Sequence, residues 1–244
     1  MRLDKYLFDN GLAESRTRAA NLIALGRVSV NGKTVSKCSF DVETKDEVIV
    51  TENYEASLGG IKLIKALESF AIEPKGKVCL DVGASNGGFT DVLLKNGARK
   101  VYCLDVGECA LPERLKKDSR VEIMDKTNAR FIKKEQFTVI PQIAVVDVSF
   151  ISLKLVLGPI SEVLTQDGII IALIKPQFEC SAKDLTKKGI VKNEKHRLSA
   201  VKSVEQFCKE LGLAEEGLTE APHPFEEKNQ EYLILLKKKS GFIA

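Results

Sequence analysis

Four charged residues border apolar runs, where a plain hydrophobic core would not require them. Asp147 ends the run IAVVDV, Lys175 ends IIIALIK and Glu231 precedes YLILL, while Lys62 lies on a predicted helix ahead of the first strand pattern. Each one alone is typical of a solvated strand end, but charges that are buried must be paired. If the four converge, the two ammonium groups disfavour each other's charged form. One lysine can then act as a neutral base that the carboxylates hold in place.

A second candidate site is the glycine-rich stretch LDVGASNGGFTD, residues 80–91, which joins a strand pattern to a helix pattern. Its spacing G-x-x-x-G-G differs from the dinucleotide-binding pattern G-x-G-x-x-G. Phe89 and Thr90 stand where a phosphate-binding P-loop needs Lys followed by Ser or Thr. A phosphate cradle is therefore disfavoured. Glycines let the backbone approach a ligand closely, and the carboxylate of Asp81 just ahead of them fits a cationic, phosphate-free cofactor.

Two more carboxylates follow the next strand patterns. Asp105 ends VYCLDV, where a carboxylate can bind both hydroxyls of a ribose, and Asp125 follows VEIM in a position to reach an adenine edge. Each alone is equally well explained as a cap of the following helix or turn. In order with Asp81, they predict S-adenosylmethionine as the cofactor. With a lysine base beside it, the pattern predicts methylation of a ribose 2′-hydroxyl by alignment with an activated methyl group, with no metal.

These residues require a scaffold that gathers strand ends. From residue 59 onward, short apolar runs alternate with helical patterns, which predicts an α/β domain with a mostly parallel sheet covered by helices on both faces. Ligands of such folds bind beyond the carboxyl ends of the strands. The strand candidates are KVCLDV, KVYCLDV, RVEIM, QIAVVDV, GIIIALI and EYLILLKK, and helices are expected near 88–96, 151–165 and 194–211.

Residues 1–50 differ in character and predict a small α+β module. A basic helical pattern, with Ser15 as the predicted N-cap and Gly26 as the predicted stop, precedes a strand, an Asn31-Gly32 turn and two further short strands. A solvated basic helix beside a hairpin is the structural alternative to a binding surface. The basic residues that accompany this pattern are Arg2, Lys5, Arg16, Arg18, Arg27 and Lys33.

Composition excludes several other classes. The 244 residues carry a net charge of only +3, and no apolar run approaches the roughly 18 residues of a membrane span. The amino terminus, MRLDKYLFDNGL, lacks the pattern of a secretory signal, so a cytoplasmic location is expected. Six scattered cysteines with no CxxC pair predict neither disulfides nor a metal site. The polar stretch 51–58 is the predicted linker, 59–240 the predicted larger domain and 241–244 a tail.

The stretch RLDKYLFDNGLAESRTRAANLIALGRVSVNGK resembles the S-four type RNA-binding module, which also occurs in a ribosomal protein, pseudouridine synthases and a tyrosyl-tRNA synthetase. The resemblance implies that the six basic residues named above contact phosphates of a structured RNA. Such contacts position an RNA without reading its sequence.

Over its full length the chain resembles the TlyA (hemolysin A) family of ribosomal RNA 2′-O-methyltransferases, in which this module precedes an FtsJ-like Rossmann methyltransferase domain. The resemblance is carried by LDVGASNGGFTD, LDVG, DKTNAR, DVSFISL, LIKPQFE and EYL. It implies S-adenosylmethionine as cofactor, cytidine in ribosomal RNA or ribosomal subunits as substrate, and a catalytic tetrad of Lys62, Asp147, Lys175 and Glu231. The implied cofactor contacts are Asp81, Gly83, Ser85, Gly87, Asp105, Asp125, Asn128 and Asp147.

Three alternatives remain at this point. Lys65 lies one turn beyond Lys62 on the same helical face, and Lys62 is preferred because Lys62-Leu63 occupies the family's Lys-Leu position. A non-catalytic ribosome-assembly factor would need no tetrad of two lysines and two acids. A membrane-lytic protein, which the family's older name suggests, would need a signal, a spanning segment or a long amphipathic helix, and the sequence supplies none of these patterns.

Overall fold

The computed structural model describes residues 1–13, 15–24, 26–43, 45–51, 58–222 and 229–238. They form two compact units, the first ending at Ile61 and the second beginning at Lys62. Each unit is described by itself. Most of the predicted linker and all of the predicted tail 241–244 lie outside the described residues.

The first unit packs two helices and a small antiparallel sheet around one apolar cluster. Ser15 Oγ accepts a hydrogen bond from the backbone N–H of Arg18 at 3.1 Å, and Gly26 adopts φ +64°, so both predicted helix-end signals are confirmed. The core includes Leu7, Ile23 and Val28. The elements are α1 Leu3–Asp9, α2 Arg16–Ala24, β1 Val28–Val30, β2 Lys33–Thr34 and β3 Val48–Val50, with the sheet order β2-β1-β3.

The second unit is built on a seven-stranded sheet of order β6-β5-β4-β7-β8-β10-β9. Strands β4 to β8 are parallel, and β10 is antiparallel to both β8 and β9. Helix α3 contains the boundary between the two units. The elements are α3 Leu58–Ser69, β4 Val78–Val82, α4 Gly88–Lys95, β5 Lys100–Leu104, α5 Glu113–Lys116, β6 Val121–Met124, β7 Ile143–Val146, α6 Leu157–Val163, β8 Ile169–Ile174, α7 Pro176–Glu179, α8 Glu194–Glu210, β9 Leu213–Glu220 and β10 Tyr232–Lys238.

Alternate residues of the central strands supply two separate cores, because successive side chains of a strand point to opposite faces. Leu80 and Val82 of β4 pack with α6 and α8 on one face of the sheet. Cys79 packs with α3 and α4 on the other face. All five residues of β4 are buried, as expected for a parallel strand that helices cover on both sides. The predicted α/β class with helices on both faces is confirmed.

Apart from the short helices α5 and α7, which were not predicted, two elements differ from the sequence-based expectation. Strand β9, Leu213–Glu220, was not predicted, since its polar sequence LAEEGLTE has only one sheet neighbour and an exposed face. The helix expected over 151–165 is a 3₁₀ turn at Leu153–Leu155 followed by α6. Neither difference moves the strand ends that carry the candidate site.

Candidate active site

The candidate site lies where the chain reverses its direction of travel across the sheet. From β4 the chain moves outward to β5 and β6, then returns to β7 and β8 on the other side of β4. Ligand crevices of open α/β sheets form at the carboxyl ends of the strands at such a switch point. A cavity of about 450 Å³ lies there, lined by residues that follow β4, β5, β6 and β7. This volume falls within the usual range for small-molecule sites.

Five of the eight predicted cofactor residues line this cavity, and three do not. Those that line it are Gly83, Ser85, Asp105, Asn128 and Asp147. Asp81, Gly87 and Asp125 are absent from the lining, and each has another identifiable structural role that is described below.

The glycine loop lets backbone take the place of side chains at the cavity wall. Gly83 has φ +85°, and a Cβ at this position would overlap the carbonyl oxygen of Asp147. Gly87 has φ +77°, and its Cβ would come within 2.7 Å of the side chains of Leu111 and Leu115. Gly83 therefore keeps β4 and the loop after β7 in close approach, while Gly87 permits packing behind the loop.

Asp105 organises the loop and also faces the cavity. Its Oδ2 accepts a hydrogen bond from the backbone N–H of Ser85 at 3.0 Å, and its Oδ1 accepts one from Gly107 at 2.9 Å. A carboxylate oxygen can accept more than one hydrogen bond, so both oxygens keep acceptor capacity for ligand hydroxyls. Val106, which is exposed, adds an apolar surface to the same wall.

Asp81 is fully buried behind the loop. Thr90 Oγ1 donates a hydrogen bond to Asp81 Oδ2 at 2.6 Å, and Asp81 Oδ1 has no hydrogen-bond partner among the described residues. Burial raises the pKa of this carboxyl group from 3.8 to about 7, against the opposing effect of the Thr90 hydrogen bond. The group is thus a buried acid that titrates near neutrality.

Asp125 and Asn128 were both predicted to contact the cofactor, but only Asn128 lines the cavity. Asp125 is exposed, and its Oδ1 accepts a hydrogen bond from the backbone N–H of Cys109 at 2.6 Å, which lowers the pKa of Asp125. Asn128 lines the cavity, and its Oδ1 caps the following 3₁₀ turn by accepting the N–H of Arg130. The amide group of Asn128 leaves a donor available to a ligand.

The four tetrad residues form two ion pairs. Lys62 Nζ lies 2.5 Å from Glu231 Oε2, and Lys175 Nζ lies 2.5 Å from Asp147 Oδ1. All four side chains are largely buried, with exposures between 11% and 21%. The side chain of Lys65 is exposed, so Lys62 is the residue of helix α3 that belongs to this cluster.

Strand register places the two ion pairs side by side. Tyr232 of β10 pairs with Ile174 of β8 in antiparallel register. Glu231 and Lys175 are the next residues beyond this pair, on the same edge of the sheet. Lys175 also donates a hydrogen bond to Ser149 Oγ at 2.7 Å, and both Asp147 and Ser149 line the cavity. The structure thus brings the predicted tetrad residues together in two adjacent pairs, and Asp147 connects them to the predicted cofactor cavity.

Two aromatic residues beside the tetrad were not predicted as site residues. Phe150 is 91% exposed, lines the cavity and has φ +63°, a left-handed conformation that is unusual for a bulky residue. The centre of its ring lies 5.3 Å from that of Phe178, which follows Lys175 by three residues. A sequence signal did exist, since a Phe in a polar loop after a strand has no core to fill.

Glu179, at the end of α7, connects the two loops that carry the tetrad. Its Oε2 accepts a hydrogen bond from Ser152 Oγ at 2.6 Å, and its Oε1 accepts one from the backbone N–H of Leu153 at 2.7 Å. These bonds tie the segment after Lys175 to the loop that contains Asp147. This role could not be predicted from sequence, because it depends on the tertiary approach of two loops.

The predicted RNA-contacting residues of the first unit include an organised cluster. Arg2 and Arg16 both pair with the buried Asp4, at 2.9 and 2.6 Å, although their own side chains are more than half exposed. The hydrogen bond from Arg2, assisted by Arg16, lowers the pKa of Asp4 to about 2 against the effect of burial. The remaining predicted residues comprise exposed Lys5 and Lys33 and half-buried Arg18 and Arg27.

Comparison with known proteins identifies the family. Residues 56–238 match the FtsJ-like methyltransferase family, and residues 1–48 match the S4 domain. The chain belongs to the FtsJ-like methyltransferase family. The cavity and tetrad described above lie in its FtsJ-like domain, and the Asp4 cluster lies in its S4 domain.

Several relatives match this chain over nearly its whole length. Hemolysin A of Brachyspira hyodysenteriae is 40% identical over 96% of this chain and 98% of its own length. The 16S/23S rRNA (cytidine-2′-O)-methyltransferase TlyA of Mycobacterium tuberculosis is 38% identical over 98% of this chain and 90% of its own length. A solved structure of a hemolysin candidate from Streptococcus thermophilus is 35% identical, has a TM-score of 0.76 and covers 98% of this chain and 89% of its own.

No helix in the described ranges has both the length and the apolar character to cross a membrane. In the same ranges, no cluster of three or more His, Cys, Asp or Glu side chains could hold a metal ion.

Proposed function

We propose that this protein transfers a methyl group from S-adenosylmethionine to the ribose 2′-hydroxyl of a cytidine in ribosomal RNA, in the cytoplasm. The observation that carries the proposal is the double role of Asp147, which lines the cavity and pairs with Lys175. A lysine that can receive a proton is thereby held at the wall of the cofactor cavity. This activity is the one in the name of the Mycobacterium tuberculosis relative.

The chain's residues suit a cationic, phosphate-free cofactor. Gly83 lets the loop approach the backbone of Asp147, where a side chain would collide with the carbonyl oxygen, and the acids Asp105 and Asp147 face the cavity from two strand ends. Asp105 would accept the ribose hydroxyls, and Asn128 would donate to the base. S-adenosylmethionine supplies an activated methyl group on a sulfonium when it is bound.

Lys175 is the proposed base. Asp147 and Ser149 fix Lys175 Nζ on two sides. When Nζ is neutral, it takes the proton of the 2′-hydroxyl. General-base assistance of this kind contributes roughly 10²- to 10⁴-fold to a rate. Lys62, paired with Glu231, completes the tetrad next to the pair of Lys175 and Asp147.

The aromatic pair provides a place for the target base. An unpaired base extruded from an RNA structure is commonly held by stacking on an exposed aromatic ring, which stabilises binding by about 1–3 kcal/mol per base. Phe150 presents such a ring beside Ser149, which is the hydrogen-bond acceptor of Lys175. A base stacked there would bring its own ribose towards the tetrad. The S4 domain would bind the same RNA through its arginines and lysines.

Radiolabelled S-adenosylmethionine and separated small and large ribosomal subunits test the proposal. We expect wild-type protein to label one or both subunits, and Lys175→Met to lose at least about 100-fold in rate while binding the cofactor normally. Lys65→Met is the matched control, because it removes an exposed lysine one turn from Lys62. Activity of Lys175→Met close to wild type would reject the assigned base. No labelling of either subunit by wild-type protein would reject the function.

A further inference from the structure

The FtsJ-like domain carries a lysine-rich projection that neither the tetrad nor the cavity uses. This segment, the lysine hairpin, comprises residues 183–192, KDLTKKGIVK. It contains four lysines and one carboxylate, a net charge of +3 that equals the net charge of the entire chain. All four lysines are exposed. Basic and acidic residues nearly balance over the whole chain, with 37 Lys and Arg against 34 Asp and Glu, but they do not balance in this segment.

The lysine hairpin has a defined backbone. Leu185 and Val191 form an antiparallel bridge, and Thr186 exchanges backbone hydrogen bonds with the segment that returns, donating its N–H to Ile190 at 2.8 Å. Gly189, with φ +75°, makes the turn. Lys187 and Lys188 therefore stand at the tip of an ordered turn. Neither contacts a carboxylate within the part of the chain that the structure describes.

A single residue anchors the lysine hairpin beside the tetrad. Asn229 accepts a hydrogen bond from the N–H of Val191 at 2.8 Å and donates one to the carbonyl oxygen of Gly189 at 2.9 Å. Asn229 precedes Glu231 by two residues, so the backbone of the tip lies within roughly 20 Å of the tetrad by chain length alone. On its other side, the lysine hairpin follows α7, which begins directly after Lys175.

We propose that the lysine hairpin is an RNA-binding surface of the FtsJ-like domain, and that Lys187 and Lys188 contact phosphates of the ribosomal RNA strand that flanks the target nucleotide. When an RNA reaches the tetrad, its negatively charged phosphate backbone must run close to these two ammonium groups. Phosphate contacts of this kind fix the position of a nucleic acid and carry no sequence information. The inference rests on the proposed action on ribosomal RNA. It adds an RNA contact region in the FtsJ-like domain to the one proposed for the S4 domain.

The test compares two double variants of equal charge. Lys187→Ala/Lys188→Ala removes the tip. Lys77→Ala/Lys209→Ala removes two exposed lysines that lie just before β4 and at the end of α8, near the opposite edge of the sheet. Affinity is measured over a salt series for protein-free ribosomal RNA and for intact subunits. Methyl transfer is measured in parallel.

We expect the tip variant to bind protein-free RNA about 10-fold more weakly than the control variant, and to lower the slope of log affinity against log salt by about 1–2. The Michaelis constant for RNA rises, while the turnover at saturating RNA stays near wild type. Equal binding by the two variants overturns the inference. Weakening on intact subunits alone also overturns it, in favour of a ribosomal protein as the partner. A wild-type protein that transfers no methyl group while the tip still governs RNA affinity would reject the proposed function and support only the RNA-binding role of the lysine hairpin.

Discussion

The buried acid Asp81 gives the sharpest quantitative prediction. Its pKa is about 7 in the folded protein because of burial, against 3.8 for an ordinary aspartate. Between these values the folded state holds a proton that the unfolded state has released. Stability therefore falls as pH rises from about 4 to about 7, and the full cost of the buried carboxylate remains above pH 7. Asp81→Asn removes this titration and keeps the shape of the side chain.

The size of the effect follows from the two pKa values. They differ by about 3 units, and at about 1.4 kcal/mol per unit the full cost is about 4 kcal/mol, as an order of magnitude. More than half of it, about 3 kcal/mol, falls between pH 5 and pH 8. The pH-independent cost of placing an amide beside Thr90 cancels in this comparison, because only the change with pH is used.

Urea unfolding followed by circular dichroism measures the effect, since the chain has no Trp to report by fluorescence. We expect Asp81→Asn to gain about 3 kcal/mol of stability relative to wild type between pH 5 and pH 8, in the absence of cofactor. Asp167→Asn, which neutralises an exposed carboxylate, should keep the wild-type pH dependence. If Asp81→Asn and wild type changed in parallel with pH, the assigned titration of Asp81 would be refuted.

Three further predictions concern residues around the site and in the S4 domain. Phe150→Ala should raise the Michaelis constant for RNA roughly 10-fold, as the loss of one stacking contact implies; it is measured at saturating cofactor because Phe150 also lines the cofactor cavity. Phe150→Tyr should restore binding, and an unaltered constant in the alanine variant would contradict the stacking role. Glu179→Ala should lower turnover roughly 10- to 100-fold with little change in cofactor binding. Glu179→Gln should recover part of the turnover, because one acceptor for the N–H of Leu153 remains. A loss of thermal stability with normal turnover would indicate a purely structural role. Asp4→Asn should weaken RNA binding in filter-binding assays even though it adds net positive charge, because Arg2 and Arg16 lose their common anchor, and tighter binding would show that charge alone matters.

The sequence predicted most of the second unit's central sheet and the strand-end acids, for a simple physical reason. Buried parallel strands must be continuous apolar runs, so a charge at the end of one run is conspicuous. Asp105, Asp147 and Lys175 were found in this way, and the structure places all three at the carboxyl edge of the sheet. Strand β9 escaped prediction because an edge strand with one exposed face has little apolar pattern to read.

Features that depend on side-chain direction could not be read from the sequence. Asp125 occupies the expected place after β6, yet its carboxylate is satisfied by the N–H of Cys109. Asp81 precedes the glycine loop as expected, yet it is buried behind the cavity wall. The division of the tetrad into a Lys62–Glu231 pair and a Lys175–Asp147 pair follows from the antiparallel entry of β10, which an apolar run does not reveal.

The central claim is that the acceptor is a ribose oxygen of cytidine, and the position of the transferred methyl group tests it most directly. Ribosomal RNA labelled by the wild-type protein is digested to nucleosides, and the labelled nucleoside is identified by mass spectrometry. Our account predicts 2′-O-methylcytidine, with the adjacent phosphodiester resistant to alkali because its 2′-hydroxyl is blocked. A label on the base, as in 5-methylcytidine, would contradict the account, because a lysine base held against Asp147 and Ser149 would then have no hydroxyl proton to take.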